Sequence, residues 1–268
     1  MEEQTMRTNH VKAKLRRGEP ALGAWLNSSS PQQARLLARL GFDWLLVDAE
    51  HGAYNPTGVA DIVASIADAG TACAPFVRVP HNTVEWFKWA LDAGAWGVIV
   101  PMVNTVEEAQ QAVSWAKYPP LGTRSIGGVF APLAFGTTDW PSYARIANDE
   151  ILVALQIESL AGLRNLDAIL GVSGVDVAFV GPNDLHTSLG LPPSNEGTEP
   201  EFVKALEQIK DGARQHSIAL GIFTSGGDAS AQRIREGFQM VSVTTDLSSL
   251  LAGATQQLQA AQNHQSPS

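Results

Sequence analysis

Residues 43–79 read DWLLVDAEHGAYNPTGVADIVASIADAGTACAPFVRV, and their pattern decides the fold. An apolar run ends at Asp48-Ala49-Glu50-His51. The segment NPTGVADIVASIADAG, from Asn55, then carries apolar residues at helical spacing, and a second β-rich run, APFVRV, follows from Ala74. Strand, helix, strand in this order is the pattern of a βα unit and implies a parallel sheet. The alternation continues in both directions. ALGAWLNS from Ala21 comes before it, and GVIVPMV from Gly97, ILVALQIES from Ile151, DVAFVGPND from Asp176, ALGIFT from Ala219 and MVSVTTD from Met240 come after it. Segments of helical period separate these runs, among them PQQARLLARL, TVEWFKWALDAG, TVEEAQQAVSWAK and EFVKALEQIKDGARQH. Gly41, Gly70, Gly94 and Gly237 stand where a helix must stop and a strand begin.

Eight such units in about 250 residues predict an α/β fold, a single-domain (β/α)8 TIM barrel, since a doubly wound open sheet normally uses fewer strands. The barrel is expected over residues 21–262, with 1–20 as a polar N-terminal segment and 263–268 as a flexible tail. The stretch from Tyr118 to Asp149 is long for a connection and reads as an excursion over the barrel mouth. The apolar helix from Leu247 either closes its own barrel or packs on a neighbouring subunit.

Composition narrows the function. The chain has 268 residues, 44% of them hydrophobic, with a formal net charge of -9. That charge opposes binding to nucleic acid or to an anionic membrane surface, both of which need a basic footprint. One cysteine, Cys73, excludes an internal disulfide framework and fits a reducing compartment. The N-terminus lacks the apolar core of a secretory signal, and no run is long enough to span a membrane, so a cytoplasmic protein acting on small molecules is expected.

Barrel chemistry sits at the carboxyl ends of the strands. Reactive side chains concentrate there: Asp48, Glu50 and His51 after the second run, Arg78 in the third, Gln156 and Glu158 in the fifth, and Gly181-Pro182-Asn183-Asp184 after the sixth. Gln156 and Glu158 are two apart and share one face. Glu158 and Asp184 end adjacent strands, where their carboxylates can converge on one ion. A helix cap or a salt bridge would explain either carboxylate alone; the pairing points to a hard divalent metal ion, Mg2+ or Mn2+, with Co2+ and Zn2+ still open. Arg78 lies in an apolar strand and needs an anionic partner, structural or substrate. The six lysines, Lys12, Lys14, Lys88, Lys117, Lys204 and Lys210, fall in the N-terminal segment or in helices. A Schiff-base mechanism needs an amine in the mouth, so the sequence points to a metal as electron sink.

Taken in order, GFDWLLVDAEHG, FVRVP, VPMV with YPPLGTRSIGG, LQIES and GVDVAFVGPNDL resemble the HpcH/HpaI family of class II pyruvate aldolases, from Gly23 to Ala260. The resemblance implies a metal held by Glu158 and Asp184, with Arg78 and His51 serving a bound 2-oxo acid. It implies that Gln156 and Glu50 hold metal-bound waters, with Asp48 supporting the site behind them, and that Asp92 pairs with His51. Backbone amides near Gly181, Pro182 and Asn183 would receive the substrate carboxylate. It also implies a homo-oligomer, a hexamer or trimer with sites at subunit contacts. The expected reaction joins or separates a 2-oxo acid and an aldehyde, with His51 as base. Decarboxylation of oxaloacetate or a macrophomate-synthase-like reaction would use the same enolate, and a barrel that only binds a chelated oxo acid is the non-enzymatic alternative. Two departures bear on the aldehyde. SIGGVFAPLAFGTTDWPSYA carries no basic residue between Arg124 and Arg145, and Leu185-His186 replaces a small residue. Neutral or hydrophobic aldehydes are therefore expected, unless His186 or a neighbouring subunit supplies a charge.

Overall fold

Each of the eight apolar runs forms a parallel strand: β1 (Ala21–Leu26), β2 (Trp44–Asp48), β3 (Ala74–Arg78), β4 (Gly97–Val100), β5 (Leu152–Ile157), β6 (Val177–Val180), β7 (Ala219–Phe223) and β8 (Met240–Thr245). They pair in sequence order, and β8 closes on β1 to complete the barrel. The computed structural model describes residues 6–263; of the tail expected over 263–268, Asn263 still belongs to the last helix and 264–268 lie outside the described residues. Strands in such a barrel are covered on both faces, which is why they read as unbroken apolar runs rather than alternating ones.

The helices before and within the first half are α1 (His10–Arg16), α2 (Pro31–Leu37), α3 (Pro56–Ala67), α4 (Val84–Asp92), α5 (Val106–Ala116), α6 (Phe130–Ala134) and α7 (Trp140–Glu150). The second half adds α8 (Leu160–Arg164), α9 (Leu166–Leu170), α10 (Pro182–Ser188), α11 (Pro200–Gln215), α12 (Gly227–Arg235) and α13 (Asp246–Asn263). Their starts follow local chemistry. The Asn55 side chain accepts from the Gly58 amide at 2.8 Å with Pro56 in the first turn, and Thr105 and Glu108 form a reciprocal capping box at α5.

The barrel interior is filled by large side chains opposite glycines. Trp44 is fully buried, packs edge-on against Phe76 with ring centroids 6.3 Å apart, and lies beside Gly23, its partner in register. A Cβ on Gly23 would lie 2.0 Å from the Trp44 ring. Gly23→Ala is therefore expected to destabilise the fold by about 3 kcal/mol, the upper end for overpacking a core. Chemical denaturation checks this; an unchanged midpoint would show that Trp44 can move aside.

The amino-terminal face is plugged by α1. The Asn9 side chain donates to Trp96 O at 3.1 Å, and Lys12 Nζ donates to Ile151 O at 3.0 Å and to Asp176 at 2.9 Å. Trp96, Ile151 and Asp176 each directly precede a strand, so the polar N-terminal segment conceals a structural cap whose Val11 and Leu15 are buried.

The excursion between α5 and β5 does not cover the mouth. Phe135 stacks on Trp96 at 4.9 Å, and Gly94 lies against Phe130 and Ala134, all at the amino-terminal face. The reason is topological: α5 runs back against the strands, so the segment leaving its end begins at the opposite end of the barrel. The last helix, α13, is tied to its barrel at its first turn, where Asp246 accepts from the amides of Asn27 and Ser28, and is exposed along its length beyond Asp246. No described helix is long and apolar enough to cross a membrane.

Candidate active site

At the carboxyl ends of the strands a cavity of about 310 Å³ opens, bordered by Asp48, Arg78, Gln156, Glu158, Asp184 and His51 among others. Parallel register sets Asp48 beside Arg78. The guanidinium donates twice to the Asp48 carboxylate, Nε to Oδ1 and Nη2 to Oδ2, both at 2.8 Å, and meets Glu50 Oε2 at 2.7 Å through Nη1. Its face lies over the Trp25 ring, 4.3 Å from the centroid. The buried cation thus has structural anions as its partners, and this fork fixes its plane at the cavity edge.

Gln156 and Glu158 do point the same way: Gln156 Nε2 donates to Glu158 Oε2 at 2.7 Å. The other oxygen accepts from the Met102 amide at 2.7 Å. Met102 has a φ of 52°, a left-handed conformation uncommon outside glycine, and this turn presents its N–H to the carboxylate. Burial pushes the Glu158 carboxyl up to about 8; the Met102 amide opposes that shift and the nearby Asp184 charge adds to it. Gly181 is required by close approach, since a Cβ there would fall 1.9 Å from Glu158 Oε2. Asp184 sits in the first turn of α10 and faces the cavity with an exposed side chain.

Two carboxylates in one cavity, with the buried Glu158 made costlier to ionise by the nearby Asp184 charge, fit a divalent cation that neutralises both. Among the described residues no group of three or more His, Cys, Asp or Glu side chains gathers as ligands. A hard ion at Glu158 and Asp184 would therefore complete its shell with water and substrate oxygens. Gly181 and Pro182 also border the cavity, where α10 begins with first-turn amides that lack intrahelical partners. Burial likewise raises Glu50, with Arg78 pulling the other way.

His51 follows a turn tied by Asp48, whose Oδ1 accepts from the amides of Glu50 and His51 at 3.3 Å each. Its exposed imidazole borders both this cavity and a neighbouring one of about 470 Å³. Asp92 does not join it within one chain. It ends α4 at the amino-terminal face, half-buried, and its Oδ1 pairs with Arg124 Nη2 at 3.4 Å. As with the excursion, the helix direction carries it away from its own mouth. Nor does His186 reach the cavity: it is fully buried, stacks on Phe202 at 3.9 Å, and its Nε2 lies 3.5 Å from Glu199. Trp25, Asn27, Phe223 and Thr245 also border the cavity. Each lies at or just beyond the carboxyl end of a strand, a position that could have singled them out. Asn195 borders it too, from a loop that carries no such signal.

The family model described as HpcH/HpaI aldolase/citrate lyase matches residues 21–252. The 2-keto-3-deoxy-L-rhamnonate aldolase of Klebsiella pneumoniae is 36% identical over 241 residues, 89% of this chain and 88% of that protein. The 4-hydroxy-2-oxo-heptane-1,7-dioate aldolase of Escherichia coli is 37% identical over 255 residues, 94% of each chain. The crystal structure of an HpcH/HpaI aldolase/citrate lyase family protein from Burkholderia cenocepacia aligns with a TM-score of 0.86 and 36% identity, covering 95% of this chain and 100% of that one.

Proposed function

The chain belongs to the HpcH/HpaI aldolase/citrate lyase family, and from that premise we propose that it is a divalent-metal-dependent aldolase. Its substrates are 4-hydroxy-2-oxo acids, made from or cleaved to pyruvate or a similar 2-oxo acid and an aldehyde. The observation that carries this reading is the meeting of Glu158, Asp184, Arg78 and His51 around one mouth cavity.

A cation at Glu158 and Asp184, Mg2+ or Mn2+ by the hardness of its ligands, supplies the positive charge that makes the carbon beside the carbonyl acidic. Arg78, oriented by Asp48, faces the oxygen on which negative charge develops. The first-turn amides of α10, at Asn183, receive the substrate carboxylate. In cleavage His51 accepts the proton of the 4-hydroxyl, the C3–C4 electron pair moves into the enolate, and the aldehyde departs; a proton returned to C3 gives the 2-oxo acid. Imidazole suits this work because it titrates near neutrality. Incubation of the metal-loaded protein with pyruvate and a panel of aldehydes should yield products whose mass is the sum of the two. If no aldehyde condenses while oxaloacetate loses CO2, decarboxylation replaces the aldol reading.

The active unit is a homo-oligomer, a trimer or hexamer, in which Asp92 of one subunit orients His51 of another. Three features support this. Asp92 lies beside Gly128 and one turn from Trp89, within a surface where Ile126, Val129 and Phe130 are each at least 60% exposed. Such an apolar patch marks a protein contact. The second feature is α13, which exposes Leu247, Leu250, Leu251 and Leu258, and the third is Leu22 of β1, left 37% exposed. His51→Ala and Asp92→Ala homo-oligomers should both be nearly inactive. When the two chains are co-expressed and mixed oligomers isolated, about a quarter of randomly assembled sites regain both residues. No recovery above the parent variants would show that the pair does not form across subunits.

A further inference from the structure

Asp246 follows β8 and does not border the mouth cavity, yet it is buried and its carboxylate serves four donors. Oδ1 accepts from the amides of Asn27 at 2.9 Å and Leu247 at 2.8 Å, and Oδ2 from the Ser28 amide at 3.0 Å and the Ser28 hydroxyl. Three of these donors belong to the two residues after β1, so an acid at the end of the last strand seats the loop that leaves the first. Asn27 carries the contact inward, its Nδ2 donating to Asp48 Oδ2 at 2.8 Å. Asp48 is the fork on which Arg78 rests. Its Oδ1 is held by Arg78 Nε and by the amides of Glu50 and His51. Its Oδ2, among the described residues, has Arg78 Nη2 and Asn27 as its donors. Without Asn27 the carboxylate is anchored along one edge and is free to turn about its Cβ–Cγ bond, taking the plane of the guanidinium with it.

Asp246, Asn27, Asp48 and Arg78 thus form one run of hydrogen bonds at 2.9, 2.8 and 2.8 Å, from the root of α13 to the cavity. Every link joins an N–H donor to a carboxylate, the stronger class of hydrogen bond, and such networks hold their members in one arrangement. We propose that Asp246 is a positioning residue for the reaction: by seating Asn27 it locks the Asp48 fork and so aims Arg78 at the oxygen on which negative charge develops. This rests on the aldolase reading. From the other side the Tyr54 hydroxyl donates to the carbonyl of Ser28 and, at 3.3 Å, to that of Leu26. The loop backbone therefore keeps a second anchor when the Asp246 carboxylate is removed, and what is lost is the aim of Asn27.

The test follows exchange of pyruvate C3 protons in D2O by the Mn2+-loaded protein without aldehyde, which reads enolate formation alone. Rates are expressed per titrated Mn2+ site, so unfolded chains do not count. Asp246→Ala and the shape-conserving Asp246→Asn should each lower kcat for exchange by about tenfold, because a misaimed charge is felt in the transition state. KM for pyruvate and the affinity for Mn2+ should stay within about twofold, since charge stabilisation acts on the transition state and neither Glu158 nor Asp184 is touched. The deciding measurement is a cycle with Asn27→Ala, which cuts the side-chain link to Asp48 but keeps the backbone amide that Asp246 binds. In that background Asp246→Ala should have no further effect on the exchange rate. If the two losses multiply, Asp246 acts by another route and the proposal falls. It falls equally if both Asp246 variants exchange at the parent rate, or if both lose their Mn2+ sites, which would make Asp246 a residue of the fold. No exchange by the parent protein sinks the aldolase reading and this inference with it, whereas exchange by the parent with any of those three results sinks the inference alone.

Discussion

Exhaustive chelation is expected to abolish aldol activity, and Mg2+, Mn2+ or Co2+ to restore it, while borohydride in the presence of pyruvate traps no adduct. The argument turns on where the amines are. A Schiff base needs an uncharged lysine within reach of the carbonyl. Lys117 is the amine best prepared for this by its surroundings, since burial lowers it to about 7. Yet it donates to Asn148 O at 2.7 Å and Ile151 O at 2.6 Å, just ahead of β5 and at the amino-terminal face. Lys12 is held by Asp176 at the same face, and Lys14 by Asp43, which precedes β2. No lysine borders the mouth cavity among the described residues. A reduced pyruvate adduct located on any lysine by mass spectrometry, with turnover surviving chelation, would replace the metal mechanism with an amine one.

How much of this was readable in advance follows from which interactions are local. All eight strands were legible because burial on both faces leaves an unbroken apolar run, and the strand ends then pointed to Asp48, Arg78, Gln156, Glu158 and Asp184. Their shared cavity follows from the two-residue repeat and from parallel register. What depended on distant partners was not legible. The excursion after Tyr118 was assigned to the mouth by its length, although any link from a helix to the next strand belongs at the amino-terminal face. Asp92 pairs with Arg124 for the same reason. The cap α1 hid behind polar composition because Lys12 is buried through carbonyl and carboxylate contacts made by the β5 and β6 entries. Asn195 owes its place to Glu196 and Arg233, which are 37 residues apart, and neither residue type announces that contact.

Substitutions at the mouth should separate into two classes. Glu158→Ala and Asp184→Ala remove oxygen donors, so Mn2+ affinity measured by calorimetry should fall together with turnover, by on the order of a thousandfold for the loss of several kcal/mol of charge stabilisation. Gly181→Ala should behave like them despite leaving every ligand in place, because its methyl would occupy the position of Glu158 Oε2. His51→Ala belongs to the other class. Its imidazole makes no side-chain hydrogen bond to Glu158 or Asp184 and lies on the cavity rim, so Mn2+ should bind nearly as before while turnover drops by about a hundred- to ten-thousandfold, the range for loss of a general base. The split between binding and rate carries the assignment. If His51→Ala lost metal along with activity, the imidazole would belong to the ligand set; if it turned over near the parent rate, the proton would have to leave the 4-hydroxyl by another group, and Glu50, held 2.7 Å from Arg78 and bordering the neighbouring cavity that His51 also lines, is the side chain placed to receive it.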